Sequence, residues 1–187
     1  MRVILAGIAG GIVVFVWGFV SHVLLPVGEM GMRAPGNEDA VIAAAKSSLS
    51  EPGIYYVPYI ASDRMEDEAA SKAWAEKAMA SPYAFIVYQP TADGDPRDMS
   101  RELSIEAGTN VLSALIAALI ASGLALGTGG RILAVAGMGV FATLAVNVPM
   151  WNWYRFPLEF TQGQAIGHIV GWLLAGIAIA WVLPKRN

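Results

Sequence analysis

The sequence predicts an all-α membrane bundle of four transmembrane helices, with a small α+β extramembrane cap inserted between helices one and two. Three observations carry that prediction. Four apolar stretches are each long enough to cross a bilayer. Charge is segregated: 56% of the 187 residues are hydrophobic and 14% charged, against about 25% charged in an ordinary soluble domain. Thirteen of the fifteen acidic residues and seven of the twelve basic ones fall in residues 26–105, giving that segment a net charge of −6. Finally, the same segment has its own turn signals, helix caps and aromatic strand patterns, as a water-facing insert should.

The first span, residues 3–25, reads VILAGIAGGIVVFVWGFVSHVLL, with no charge and one histidine. At 1.5 Å per residue it would extend about 34 Å, enough to cross the hydrocarbon core. It is too long for the apolar region of a signal peptide and lacks a clean small-x-small cleavage site, so a retained helix is expected. At about 100° per residue Gly7, Gly11, Gly18 and His22 fall within about 60° of one another. Glycines on one face allow a second backbone to come close. Gly7, Gly11 and Gly18 are therefore interface candidates, for packing within the chain or for self-association. Trp17 points elsewhere, to lipid or a partner.

In the insert, residues 26–105, Pro26 ends the first helix and a turn-rich stretch follows. Asn37 before Glu38 and Asp39 has the form of an N-cap with first-turn acids, opening a helix through DAVIAAAKSSL. Residues 54–60 (IYYVPYI) read as a short extended segment limited to an edge by Pro58. Residues 63–80 read as a second helix, stopped by Ser81 and Pro82. Residues 83–90 (YAFIVYQP), aromatic and β-branched, are the best strand candidate and would pair with residues 54–60. Asp93, Asp95 and Asp98 suggest calcium, but the twelve-residue loop pattern and terminal glutamate of an EF-hand are missing, and a solvated loop is expected.

The second span is placed at residues 106–126, the third at 132–150 with Pro149 marking its end, and the fourth at 164–183. Between the third and fourth lies the aromatic link WNWYRFPLEFTQ, where Trp151, Trp153 and Tyr154 are candidates for the membrane interface or a partner. Arg2, Arg131, Lys185 and Arg186 fall on one side of this scheme. The positive-inside rule puts that side, with both termini, in the cytoplasm. Residues 26–105 are then extracytoplasmic.

This topology converges polar side chains at one membrane face. His22 is near the outer end of span one, Glu106 and Asn110 begin span two, Asn147 ends span three and His168 begins span four. Polar groups in hydrocarbon are costly, and ionisable ones suggest a functional site. One reading is structural: the amides and imidazoles fix helix register. Another is a cofactor or metal site, with two histidines as axial haem ligands or, with Glu106, holding a divalent ion. A third is a small-ligand, quinone, lipid or proton site.

Other chemistry is excluded or unsupported. With no cysteine, there are no disulfides, thiolate nucleophiles, thiolate-held metals or thioether-attached haem. The net charge of −3 offers no basic surface for nucleic acid. The HExxH, Gly-x-Ser-x-Gly and phosphate-loop signatures are missing. Near-equal spans without broken helices argue against an ordinary secondary transporter.

F-V-W-G-F-V-S-H (residues 15–22), E-D-A-V (38–41) and W-N-W-Y-R-F-P (151–157) give the chain, over essentially its full length, a resemblance to an uncharacterised family of small bacterial four-span inner-membrane proteins. The resemblance implies a bacterial source and a four-span shape, and transfers no catalytic residue. The leading functional expectation is a non-enzymatic accessory or structural subunit of an inner-membrane assembly, in contact with lipid and with a protein partner or a second copy. The alternative is a haem, metal, quinone or small-ligand site in the outer leaflet formed by His22, Glu106, Asn110, Asn147 and His168.

Overall fold

The computed structural model describes residues 1–92 and 94–184. It divides into two compact units, residues 1–33 with 98–184, and Ala34–Arg97.

The first unit contains four helical spans long and apolar enough to cross a membrane: Arg2–Leu24, Ser100–Gly123, Thr128–Tyr154 and Leu158–Val182, with mean hydropathies of 2.5, 1.7, 1.9 and 1.9. Span one is α1 (Arg2–Phe19) continued by a π-helical turn, Val20–Leu24. Span two is α4 (Ser100–Gly123). Span three is α5 (Thr128–Ala142), a second π turn (Thr143–Asn147) and α6 (Val148–Tyr154). Span four is α7 (Leu158–Val182).

Two helices begin earlier than the apolar stretches suggest. Helices α4 and α7 each start six residues before the expected span, because their first turns are polar yet still helical. Asp98 accepts hydrogen bonds from the Ser100 amide (3.0 Å) and hydroxyl (2.6 Å) just ahead of α4. Pro149 does not end the third span. It sits just after the π turn, and the helix continues through it to Tyr154. The expected link therefore shrinks to residues 155–157, with Arg155 in a left-handed conformation at φ 55°. Arg131, expected in a link, lies in α5 and is buried, donating from Nη1 to the Pro184 carbonyl at 2.7 Å. Lys185 and Arg186 lie outside the described residues.

Helix α1 packs along α4 on one side and α7 on the other, α7 packs along α5, and α4 barely meets α5. The main contacts thus run in the order α4–α1–α7–α5, with α4 and α5 meeting only slightly. Small residues set the spacing. A Cβ on Gly7 would lie 2.5 Å from Leu115 Cδ2, and one on Gly11 would lie 2.5 Å from Val111 Cα. Gly10 faces Ile179, Gly139 faces the His168 carbonyl, and Gly176 faces that of Ile132. Backbones approach this closely only where side chains are missing, and dispersion contact rather than hydrophobic expulsion then holds helices together in lipid. The core continues this theme: Ala6 and the alanines at 114, 117, 118 and 121 are buried with Val135, Ile179 and Leu183. This core occupies the end of the bundle where Arg131 meets Pro184. The other end is less tightly filled, and the polar residues gather there.

The second unit is the α+β cap. Asn37 caps α2 (Glu38–Ser48) by accepting from the Ala40 amide at 3.0 Å. Strands β1 (Gly53–Val57) and β2 (Ala84–Tyr88) pair antiparallel, Gly53 opposite Tyr88 and Val57 opposite Ala84. Tyr56 and Phe85 make an edge-on ring contact at 5.2 Å between centroids. The second cap helix is shorter than expected. Residues Ser62–Arg64 form a separate 3-10 turn, and α3 covers Glu68–Ala80 with Asp67 as its N-cap, bonding the Ala69 and Ala70 amides. Trp74 Nε1 reaches back to the Pro58 carbonyl at 3.4 Å. Among the described residues of this unit none is fully buried. Among the described residues, Asp95 and Asp98 belong to no group placed to hold a metal ion. Asp95 binds Arg97 and Asp98 binds Ser100, and these bonds hold both carboxyls below their usual range. Asp93 lies outside the described residues.

Candidate functional site

The site begins with the π turn at the end of α1. There the Leu25 amide bonds the Val20 carbonyl, five residues back, at 2.9 Å. The wider turn carries one extra residue, and such bulges recur where a helix must redirect a side chain. Ser21 is buried and its hydroxyl donates to the Gly18 carbonyl at 3.1 Å. His22 Nδ1 lies 3.0 Å from the same carbonyl and 3.0 Å from Ser21 Oγ. A carbonyl only accepts, so the contact to Gly18 assigns the hydrogen to Nδ1. In the neutral ring Nε2 is then the acceptor. The chain folds back beyond the helix, the Gly28 amide bonding the Ser21 carbonyl at 3.0 Å. Gly28 lies flat against the imidazole, where a Cβ would overlap His22 Cδ2.

From α4 come Glu106 and Asn110, one turn apart. Asn110 Nδ2 donates to Glu106 Oε1 at 3.0 Å. From α7 come Gln164 and His168, also one turn apart, between glycines at 163, 167 and 171. Gly163 admits the Val27 carbonyl and Met30 of the returning chain, and Gly171 admits the Trp17 ring. Trp17 Nε1 donates to the Gly167 carbonyl at 3.0 Å and ties α1 to α7. His168 is half-buried, and among the described residues its buried Nδ1 has no hydrogen-bond partner.

Between these elements lies a cavity of about 350 Å³. His22, Glu106, Asn110, Gln164 and His168 line it, with the indoles of Trp17 and Trp172. Its lining holds one carboxylate, two imidazoles and two amides, and no lysine or arginine. A volume of this order suits a small ligand or the head of a larger one.

The structure thus brings four of the five expected polar residues together: His22, Glu106, Asn110 and His168. Asn147 does not join them. It is buried in the second π turn, with Oδ1 unpartnered among the described residues, and it does not line the cavity. The order of the helices explains this: α7 stands between α5 and α1, so a side chain at the end of α5 meets the other flank of α7. The π turns widen the first and third spans locally without breaking them.

Of the interface candidates, Gly7 and Gly11 are occupied by the α1–α4 contact. Gly18 instead lines the cavity, and a Cβ there would meet nothing within 4 Å. Trp151, Trp153 and Tyr154 are exposed on α6, Trp153 by 75%. Trp17, expected to point away to lipid or a partner, forms a cavity wall. On an ideal helix it stands far round from His22, and the π turn takes up part of that rotation. Gln164 is legible in the sequence one turn before His168. Gly28 and Trp172 carry no signal in the sequence alone.

Among the described residues no group of three or more histidine, aspartate or glutamate side chains is placed to hold a metal ion. Comparison of the chain with protein-family models, curated proteins and solved structures finds no match.

Proposed function

We propose that this chain is a non-enzymatic binding protein of the bacterial inner membrane that holds a small ligand between α1, α4 and α7. The observation that carries this reading is the cavity itself: side chains far apart in sequence converge on one space, and they carry donors, acceptors and aromatic faces. His22 Nε2 and the Glu106 carboxylate accept, and Asn110 and Gln164 both donate and accept. Without a lysine or arginine, the lining does not suit a phosphate or carboxylate ligand. The end bearing Arg2 and Arg131 is cytoplasmic in this proposal, by the positive-inside rule. The cavity then opens in the outer leaflet.

The test is purification in a mild detergent, followed by absorbance, metal analysis and mass spectrometry of extracted small molecules. A co-purifying molecule whose content falls in His168→Ala and Glu106→Gln supports the reading. A Soret band or a quinone would name the ligand. Ligand-free protein whose variants lose only thermal stability would leave the polar cluster a structural device.

A second reading is an accessory subunit of a larger assembly. It is favoured by the exposed indoles of Trp151 and Trp153, which offer anchors to a partner as well as to lipid headgroups. Stoichiometric co-purification with a larger complex, lost in Trp153→Ala, is its expected result.

A further inference from the structure

The cavity has an apolar neighbour. A groove of about 230 Å³ runs between α1 and α7, lined by Ile12, Val13, Val16, Trp17, Val20 and Leu174. Trp17 lines both spaces. The two are ordered along the helices. On the first span the groove covers Ile12 to Val20 and the cavity Val14 to Gly28, so the two overlap and the cavity reaches further towards the end of the span. On antiparallel α7, Gln164 and His168 precede Leu174. On both helices the polar space therefore extends nearer to the membrane surface and the apolar space deeper, with an overlap on the first span. That is the arrangement of a molecule with a polar head at the interface and a tail in hydrocarbon.

Charge selects the head. Glu106 is the only carboxylate in the cavity lining, and among the described residues it forms no ion pair. Its one side-chain partner is the neutral Asn110 amide. A carboxylate within a membrane-spanning helix favours a counter-ion, and the two indoles provide faces that attract a cation. An anionic head would face the Glu106 carboxylate with no lysine or arginine in the lining to offset it.

We propose that the cavity and groove together hold a single cationic amphiphile, its positive head beside Glu106 and the indoles of Trp17 and Trp172, its tail along α1 and α7. This rests on the cavity being a ligand site and adds the ligand's charge and its tail.

The probe is dodecyltrimethylammonium carrying bromine at the chain end, titrated into the full chain in an uncharged maltoside detergent while tryptophan emission is followed. Bromine quenches only nearby indoles. Saturable quenching is expected, with apparent affinity about tenfold weaker in Glu106→Gln, where the charge is lost. About tenfold weakening is also expected in Val16→Phe, which fills the groove and displaces roughly two methylenes. Both positions are exposed, so neither change disturbs the core. Tetramethylammonium, the head without a tail, should compete weakly.

Equal saturable quenching by the bromo-alcohol of the same length would overturn the cationic head and leave the cavity as a site for neutral molecules. Unchanged affinity in Val16→Phe, with the loss kept in Glu106→Gln, would overturn the tail position alone. No saturable quenching by either brominated probe overturns the amphiphile and, with ligand-free purified protein, the binding function as well.

Discussion

The His22 imidazole is held on two sides, by the Gly18 carbonyl and Ser21 hydroxyl at Nδ1 and by the backbone of Gly28 across its face. Glycine at position 28 is therefore a positioning residue without a side chain. In Gly28→Ala the new methyl overlaps the ring, and either the ring or the returning chain must move. The expected cost is about 1–3 kcal/mol, as for other overpacked sites. Ligand retention should fall with it, measured by thermal unfolding and ligand content together. Trp17→Phe removes the bond to the Gly167 carbonyl while keeping an aromatic ring, and should cost about 1 kcal/mol. The histidines, Glu106 and Asn110 are legible in the sequence because polar residues stand out in apolar spans. Gly28 and Trp172 are not. A glycine is informative only once its neighbour is known, and a tryptophan in a span has an ordinary explanation as an interface anchor.

The helices show which part of their geometry apolar patterning encodes. Hydropathy reports contact with hydrocarbon, so it locates all four spans. It does not report where backbone hydrogen bonding stops, so it misses the polar first turns of α4 and α7 and makes Pro149 look like a terminator. The glycine face of α1 divides into two by function. Gly11→Ala should push α1 from the Val111 backbone and cost about 1–3 kcal/mol. Gly18→Ala meets no neighbour and should be neutral or slightly stabilising, since alanine favours the helix by up to about 1 kcal/mol. Denaturation of both variants in mixed micelles checks the contrast. At the start of α4, Ser100 lowers the Asp98 carboxyl. A lowered carboxyl stabilises fully above its unfolded value, about 3.9, and loses that contribution as pH falls through its folded value. Protection of the Ser100 amide against exchange, relative to the unprotected amide at the same pH, should therefore be flat above about pH 5 and fall only in stronger acid.

Across the whole molecule, the four-span bundle and the α+β insert follow from charge segregation and span length. The neighbour order does not, because four faces of small residues fit several such orders. Only contacts such as Gly7 with Leu115 and Gly176 with Ile132 choose among them. The proposed orientation is directly testable, since the chain contains no cysteine. A single cysteine in place of Ser47 should react with an impermeant maleimide in intact cells. One in place of Gly127 should react only after the membrane is opened. The reverse pattern would move the cavity to the cytoplasmic leaflet.

The first and last spans lie side by side. During synthesis α1 enters the bilayer long before α7 exists, and at 5–20 residues per second the wait is on the order of ten seconds. Through that interval Gly10 and Trp17 face lipid or a temporary escort, and the chamber has at most two of its three walls. A nascent chain stalled before α7 would thus be inserted but empty, so any occupant must arrive after α7 has joined the bundle.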